Sequence, residues 1–124
     1  MNERSYVGID KTENNEWTAV MWEHKSFVFS RPYRDTPTEL EALMRFIIET
    51  CERPKICLNT ANPRAFTLLN YIVGIPGAEV VLMTKEGLRL HLDWLPKEQA
   101  VSVSKLQKPE NRACLLACCA ERMI

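Results

Sequence analysis

The sequence predicts an α/β fold, and three observations carry that prediction. The first third of the chain reads as short β-prone runs separated by polar turns. The middle alternates apolar runs of strand length with stretches whose apolar residues recur at three- and four-residue spacing. The end of the chain, PENRACLLACCAERMI, reads as a closing helix.

In order, Tyr6 to Asp10 (YVGID) is a short apolar run ending in a carboxylate. Glu16 to Glu23 is rich in Trp and Val with apolar residues on both faces, and Lys25 to Arg31 (KSFVFSR) is a third β-prone run. Lys11 to Asn15 and Glu23-His24-Lys25 supply polar turns, which suits an antiparallel meander. A helix follows. Asp35 or Thr36 caps it, Pro37 fits its first turn, and Glu39 and Glu41 suit its dipole. Leu40, Leu43, Met44, Ile47, Ile48 and Cys51 form one apolar stripe, and Pro54 stops it.

KICLNT then reads as a buried strand, and Asn62-Pro63 opens a second helix from about Pro63 to Val73. Gly74 and IPG end that helix, and AEVVLMT is a further strand. Strand, helix, strand, helix, strand implies parallel pairing with right-handed crossovers. Lys85 to Gln107 is open: LRLHLDWL alternates like a strand, yet Leu88, Leu92 and Leu95 also fit a helical face, and the residues after Pro96 read as loop. In the closing helix, Pro109 sits near the first turn.

At 124 residues, 46% apolar and 26% charged, the chain has the totals of a single globular domain, residues 1–124. Sixteen basic residues balance sixteen acidic ones, so no global positive field draws in nucleic acid. No apolar run is long enough for a membrane span, and the start lacks a signal-peptide pattern, so no membrane partner and a cytoplasmic location are expected. In that compartment Cys51, Cys57, Cys114, Cys118 and Cys119 read as free, buried thiols. Their spacing does not make a zinc site, and no metal is assigned. His24 and His91 lack a nucleophile in any identifiable motif. Four glycines are too few for a phosphate loop, which excludes ATP binding of the sugar-kinase kind. Trp17 and Trp22 lie on opposite faces of a strand and suit core packing better than base stacking.

Three antiparallel strands, then helix, strand, helix, strand and a C-terminal helix is the order of the ribonuclease H-like fold, in which the first strand is flanked by the second and the fourth. YVGIDKTENNEWTAVMW, ICLNTANPRAFTLLNYI, AEVVLMTKEGL and SKLQKPENRACLLACCA resemble, in order and spacing, the RuvC-like N-terminal domain of DEDD transposases and Piv-type DNA invertases. The resemblance implies four carboxylates holding two divalent cations about 4 Å apart, which clamp the attacking and leaving oxygens of a phosphodiester.

Asp10 matches the first carboxylate. The second falls on Asn59, where Thr60 is kept and Ala61 replaces a glycine. The last pair falls at Pro109 and Arg112, with Glu110 the one acidic residue nearby and out of register by one. An amide is a weaker ligand, and an arginine repels a cation. The resemblance also places the recombination serine beyond this stretch, so strand transfer is not expected.

The expected function is therefore a non-catalytic, stand-alone relative with a regulatory role or one tied to DNA or a mobile element. Lys105, Lys108 and Arg112 form the nearest thing to a nucleic-acid patch, against the reading of ordinary solvated charge. One alternative is a protein-interaction or self-associating module on the same fold, with a second copy or another protein as partner. Another is a weak magnesium- or manganese-dependent nuclease using Asp10 and Glu110. No cofactor is otherwise implied. Asp10 is also open to a plainer reading, as a cap on the turn that follows it. Asp10 bonded to that turn or to Arg112 is the arrangement expected of a fold that has lost its chemistry.

Overall fold

A computed structural model describes residues 4–12, 14–24, 26–97 and 108–123. Among these are six strands and four α-helices: β1 (Tyr6–Lys11), β2 (Glu16–Glu23), β3 (Ser26–Phe29), β4 (Tyr33–Arg34), α1 (Pro37–Thr50), β5 (Lys55–Asn59), α2 (Ala65–Ile72), β6 (Glu79–Met83), α3 (Lys85–Leu90) and α4 (Pro109–Arg122). The strands form one mixed sheet in the order β3-β2-β1-β5-β6, with β4 also paired to β2. β1 runs antiparallel to β2, from Tyr6 opposite Trp22 to Lys11 opposite Trp17. It runs parallel to β5, from Tyr6 opposite Lys55 to Ile9 opposite Leu58, and β6 runs parallel to β5 beyond it.

Side-chain alternation divides the core into two layers. Val7 and Ile9 of β1, Trp17, Ala19 and Met21 of β2, and Ile56 and Leu58 of β5 pack with Leu40, Leu43 and Ile47 of α1 and Leu68 and Ile72 of α2. On the other face Val20 and Cys57 pack with Leu88, Leu95 and the buried row from Ala113 to Leu116 of α4. Gly8 belongs to this second face, and α4 passes directly over it. A Cβ there would overlap the Ala113 carbonyl oxygen and stand 2.5 Å from the Ala117 nitrogen. Glycine in β1 and small residues in α4 let helix and sheet approach closely, which brings the first turn of α4 to the end of β1.

Several boundaries depart from expectation. β1 continues to Lys11, which the sequence assigns to a turn. After β3 the chain steps aside at Ser30, whose hydroxyl accepts the Ala19 N–H at 3.0 Å, and returns to β2 as the unforeseen β4. Lys25, the expected start of the third strand, lies outside the described residues. Thr36 rather than Asp35 caps α1, accepting the Glu39 N–H at 3.4 Å. The helix ends before Pro54: Cys51 is already extended and Arg53 takes a left-handed φ of 40°.

α2 starts at Ala65 because the Asn62 side chain accepts the Arg64 N–H at 2.9 Å and holds Pro63 and Arg64 in a turn. Thr84 ends no strand; it caps α3 by accepting the Gly87 N–H at 3.0 Å. LRLHLDWL is helical throughout its first part, α3 giving way to a 3-10 turn at Leu92–Trp94, with Leu88 and Leu95 buried in the second core. Of the loop expected after Pro96, residues 98–107 lie outside the described residues. Trp17 is buried in the first core, whereas Trp22 is half-buried with its ring 4.6 Å from that of Phe27. All five cysteines are free and buried. Among the described residues no helix is long and apolar enough to cross a membrane.

Candidate functional site

The carboxyl ends of β1 and β5 lie side by side, the edge at which α/β sheets commonly bind ligands. Asp10 and Asn59 each stand one residue beyond the last β1–β5 pair, Ile9 and Leu58, on the face that α4 covers. Asp10 is 3% exposed. Its Oδ1 accepts the Lys11 backbone N–H at 2.8 Å, and its Oδ2 accepts from Arg112 Nε at 2.5 Å. The Asn59 side chain lies close enough to favour the ionised carboxylate, while its own Oδ1 accepts the Ala61 N–H at 3.0 Å and fixes the turn after β5. Burial raises the pKa of Asp10; the charge and hydrogen bond of Arg112, the Lys11 N–H and the Asn59 amide act in the opposite direction.

Asp10, Asn59 and Arg112 therefore meet. Glu110 does not join them through any hydrogen bond or ion pair to Asp10; it lines a shallow pocket with Ser26, Phe27, Phe29, Leu95, Asn111 and Cys114. Two helical positions separate Glu110 from Arg112, a rotation of roughly 200° about the axis. The residue that reaches Asp10 and the residue carrying the spare acid consequently point to different sides of α4. Lys108 is exposed immediately before α4, and Lys105 lies outside the described residues.

A second cluster forms where β1, α1 and α2 converge, and no local spacing in the sequence connects its members. Asp35, with its side chain 4% exposed, accepts from Lys11 Nζ at 3.0 Å. Arg64 engages both of its oxygens, Nε to Oδ2 at 2.8 Å and Nη2 to Oδ1 at 2.9 Å. The Lys11 ammonium also lies 5.7 Å from the centre of the Trp17 ring. The Trp17 indole N–H is buried and makes no hydrogen bond of normal geometry, yet it lies close enough to favour the ionised Asp35. The Arg64 hydrogen bonds are the main reason Asp35 is held well below the usual carboxylate range; burial opposes them, and Lys11 and Trp17 assist. The one available signal was parity: Lys11 follows Val7 and Ile9 on the core face of β1, and a lysine there requires an anion.

Neither cluster suits a divalent cation. At Asp10 the guanidinium occupies one carboxylate oxygen and repels a cation, and the neighbouring Asn59 amide is neutral and brings no compensating negative charge. Among the described residues, no group of three or more His, Cys, Asp or Glu side chains is placed to hold a metal. The buried thiols have a different character: burial pushes Cys51 up to about 11 and Cys114 and Cys118 up to about 12, so they stay protonated at neutral pH. Cys57 is held as a thiol first by its hydrogen bond with Cys119 and then by burial.

Comparison of the chain with protein-family models, with curated proteins and with solved structures finds no match.

Proposed function

We propose that this chain is a ribonuclease H-like domain, related to the RuvC-like domain of DEDD transposases, that binds nucleic acid without cutting it. The observation that carries the non-catalytic half of this reading is the Asp10–Arg112 pair at 2.5 Å. Arg112 stands at one of the positions where the resemblance expects a metal-binding carboxylate, and it brings a fixed positive charge to the one acid that the resemblance preserves. The role in binding rests on the resemblance and on the local charge. Within the two hydrogen-bonded clusters Lys11, Arg64 and Arg112 face Asp10 and Asp35, three cations against two anions. Lys108 adds an exposed cation just before α4.

Binding and cleavage separate in one experiment. Fluorescence anisotropy with labelled duplex and branched DNA is expected to show affinity that falls steeply as salt is added, because phosphate contacts release counterions. The same DNA incubated with magnesium or manganese is expected to stay intact. Cleavage that Asp10→Ala abolishes would establish the nuclease reading instead. Absence of any salt-sensitive binding would remove nucleic acid as the partner.

A further inference from the structure

Among the described residues, the two lateral edges of the sheet are finished differently. Along one, the chain from β3 to β4 follows β2 with a step between them, and it carries Arg31, Pro32 and Arg34. Proline and positive charge on an edge discourage the addition of another strand. Arg31 is further committed, lying 3.9 Å from the centre of the Tyr33 ring and bonded to Glu39 at 3.2 Å.

The opposite edge is β6, EVVLM, which has no proline, lysine or arginine. Val80 and Val81 are half-exposed, and Leu82 is 45% exposed. The Glu79 N–H donates to the Pro54 carbonyl at 3.0 Å, and the Met83 carbonyl accepts the Thr60 N–H at 2.9 Å. Backbone groups of Glu79, Val81 and Met83 thus face β5, and those of Val80 and Leu82 face outward from the sheet.

We propose that β6 pairs antiparallel with β6 of a second copy of this chain, about a twofold axis at Val81. In that register Val80 of one copy lies opposite Leu82 of the other, and each such pair exchanges both of its outward backbone hydrogen bonds. Val81 meets its own counterpart across the axis, so every cross-strand contact at the centre is apolar and β-branched or leucine.

The charges at the strand ends favour a second copy in this orientation. Glu79, with a side chain 58% exposed and bonded to Arg4 at 2.8 Å, opens β6, and exposed Lys85 follows its end. Antiparallel pairing brings Glu79 of each copy towards Lys85 of the other, whereas parallel pairing would set Glu79 against Glu79. One pair of five-residue strands buries less than the roughly 1,200 Å² of a standard stable interface, so the dimer is weak and forms as concentration rises.

Light scattering across the micromolar range tests this on the full chain, together with amide hydrogen exchange. The expected result is a shift from monomer to dimer mass, with the Val80 and Leu82 amides gaining protection over the same range. Leu82→Lys is expected to move the dimer midpoint about tenfold or more to higher concentration. Glu79→Lys is expected to weaken pairing and added Lys85→Glu to restore it. A monomer throughout the range overturns the proposal. So does a dimer in which the Val80 and Leu82 amides of the unmodified chain exchange as freely as in the monomer, whatever the variants do.

Discussion

Arg112 and Asp10, 102 residues apart in sequence, meet at 2.5 Å at the carboxyl end of β1, with the carboxylate almost fully buried. The pair links the first turn of α4 to the end of β1. The Arg112 guanidinium offsets the negative charge of that buried carboxylate.

Removing the arginine leaves a buried acid without its cation. Breaking a buried pair from one side costs roughly 3–5 kcal/mol. Arg112→Ala is therefore expected to destabilise the fold by an amount in this range near neutral pH, and Asp10→Asn together with Arg112→Ala by less than Arg112→Ala alone. Urea unfolding of the variants measures the difference. Equal stability of Arg112→Ala and the unmodified protein would show that the pair contributes nothing.

The two ion-paired aspartates respond to pH in opposite directions. Asp35 is a stronger acid in the folded state, chiefly through Arg64, so its stabilisation is complete above the unfolded pKa of about 4 and is lost as pH falls below it. Asp10 is a weaker acid in the folded state because of burial, so its ionisation costs stability as pH rises from about 4 through its raised pKa. Asp35→Asn should cost about 1–3 kcal/mol near neutral pH, as expected for losing charged hydrogen bonds. That cost should shrink towards about pH 3, below the unfolded pKa. The Asp10→Asn variant should instead gain stability relative to the unmodified protein as pH rises over the same interval. Parallel pH profiles for the two variants would contradict this assignment.

Gly8 is required by the close passage of α4 rather than by a turn. Gly8→Ala forces the new methyl group into the α4 backbone at Ala113 and Ala117. Overpacking of a core typically costs about 1–3 kcal/mol, and a clash with backbone belongs at the upper end. The expected readout is a lowered midpoint in thermal unfolding with loss of the Asp10–Arg112 contact. A variant as stable as the original would mean that the helix can lift at little cost.

The thiols give a simple check on the second core. All five are buried, and Cys51, Cys114 and Cys118 are held protonated at neutral pH. Iodoacetamide should leave the native protein almost unlabelled and label every cysteine once denaturant is added. Rapid labelling of Cys114 or Cys118 in native conditions would place the outer face of α4 in solvent.

Much of this fold is legible in the sequence because local chemistry and the global arrangement agree. Thr36 and Pro37 announce α1, the stripe from Leu40 to Ile47 gives its buried face, and the apolar runs around Ile56 and Val80 read as strands. Local chemistry failed where a segment answers to tertiary contacts. β4 is two residues long and exists only because Ser30 and Tyr33 return to β2. The alternation of LRLHLDWL misleads because Leu88 and Leu95 are claimed by the second core, and Thr84 begins a helix in front of them.

At the candidate site, Asp10 is legible from its place at the end of a strand, whereas Asn59 and Arg112 are singled out only through the resemblance. Glu110 faces a different pocket because helical geometry turns a small register offset into a change of side. The Asp35–Lys11–Arg64 cluster was hidden because its three residues come from separate elements and no local spacing connects them.

The central claim of the proposed function, that Arg112 engages Asp10 where the resemblance expects a metal, is tested most directly by diffraction from crystals soaked in manganese, with data collected for its anomalous signal. The account predicts the Asp10–Arg112 bond intact and no anomalous peak beside it. A manganese ion bound by Asp10 with Asn59 or Glu110, and Arg112 swung aside, would contradict it and return the site to metal-dependent chemistry.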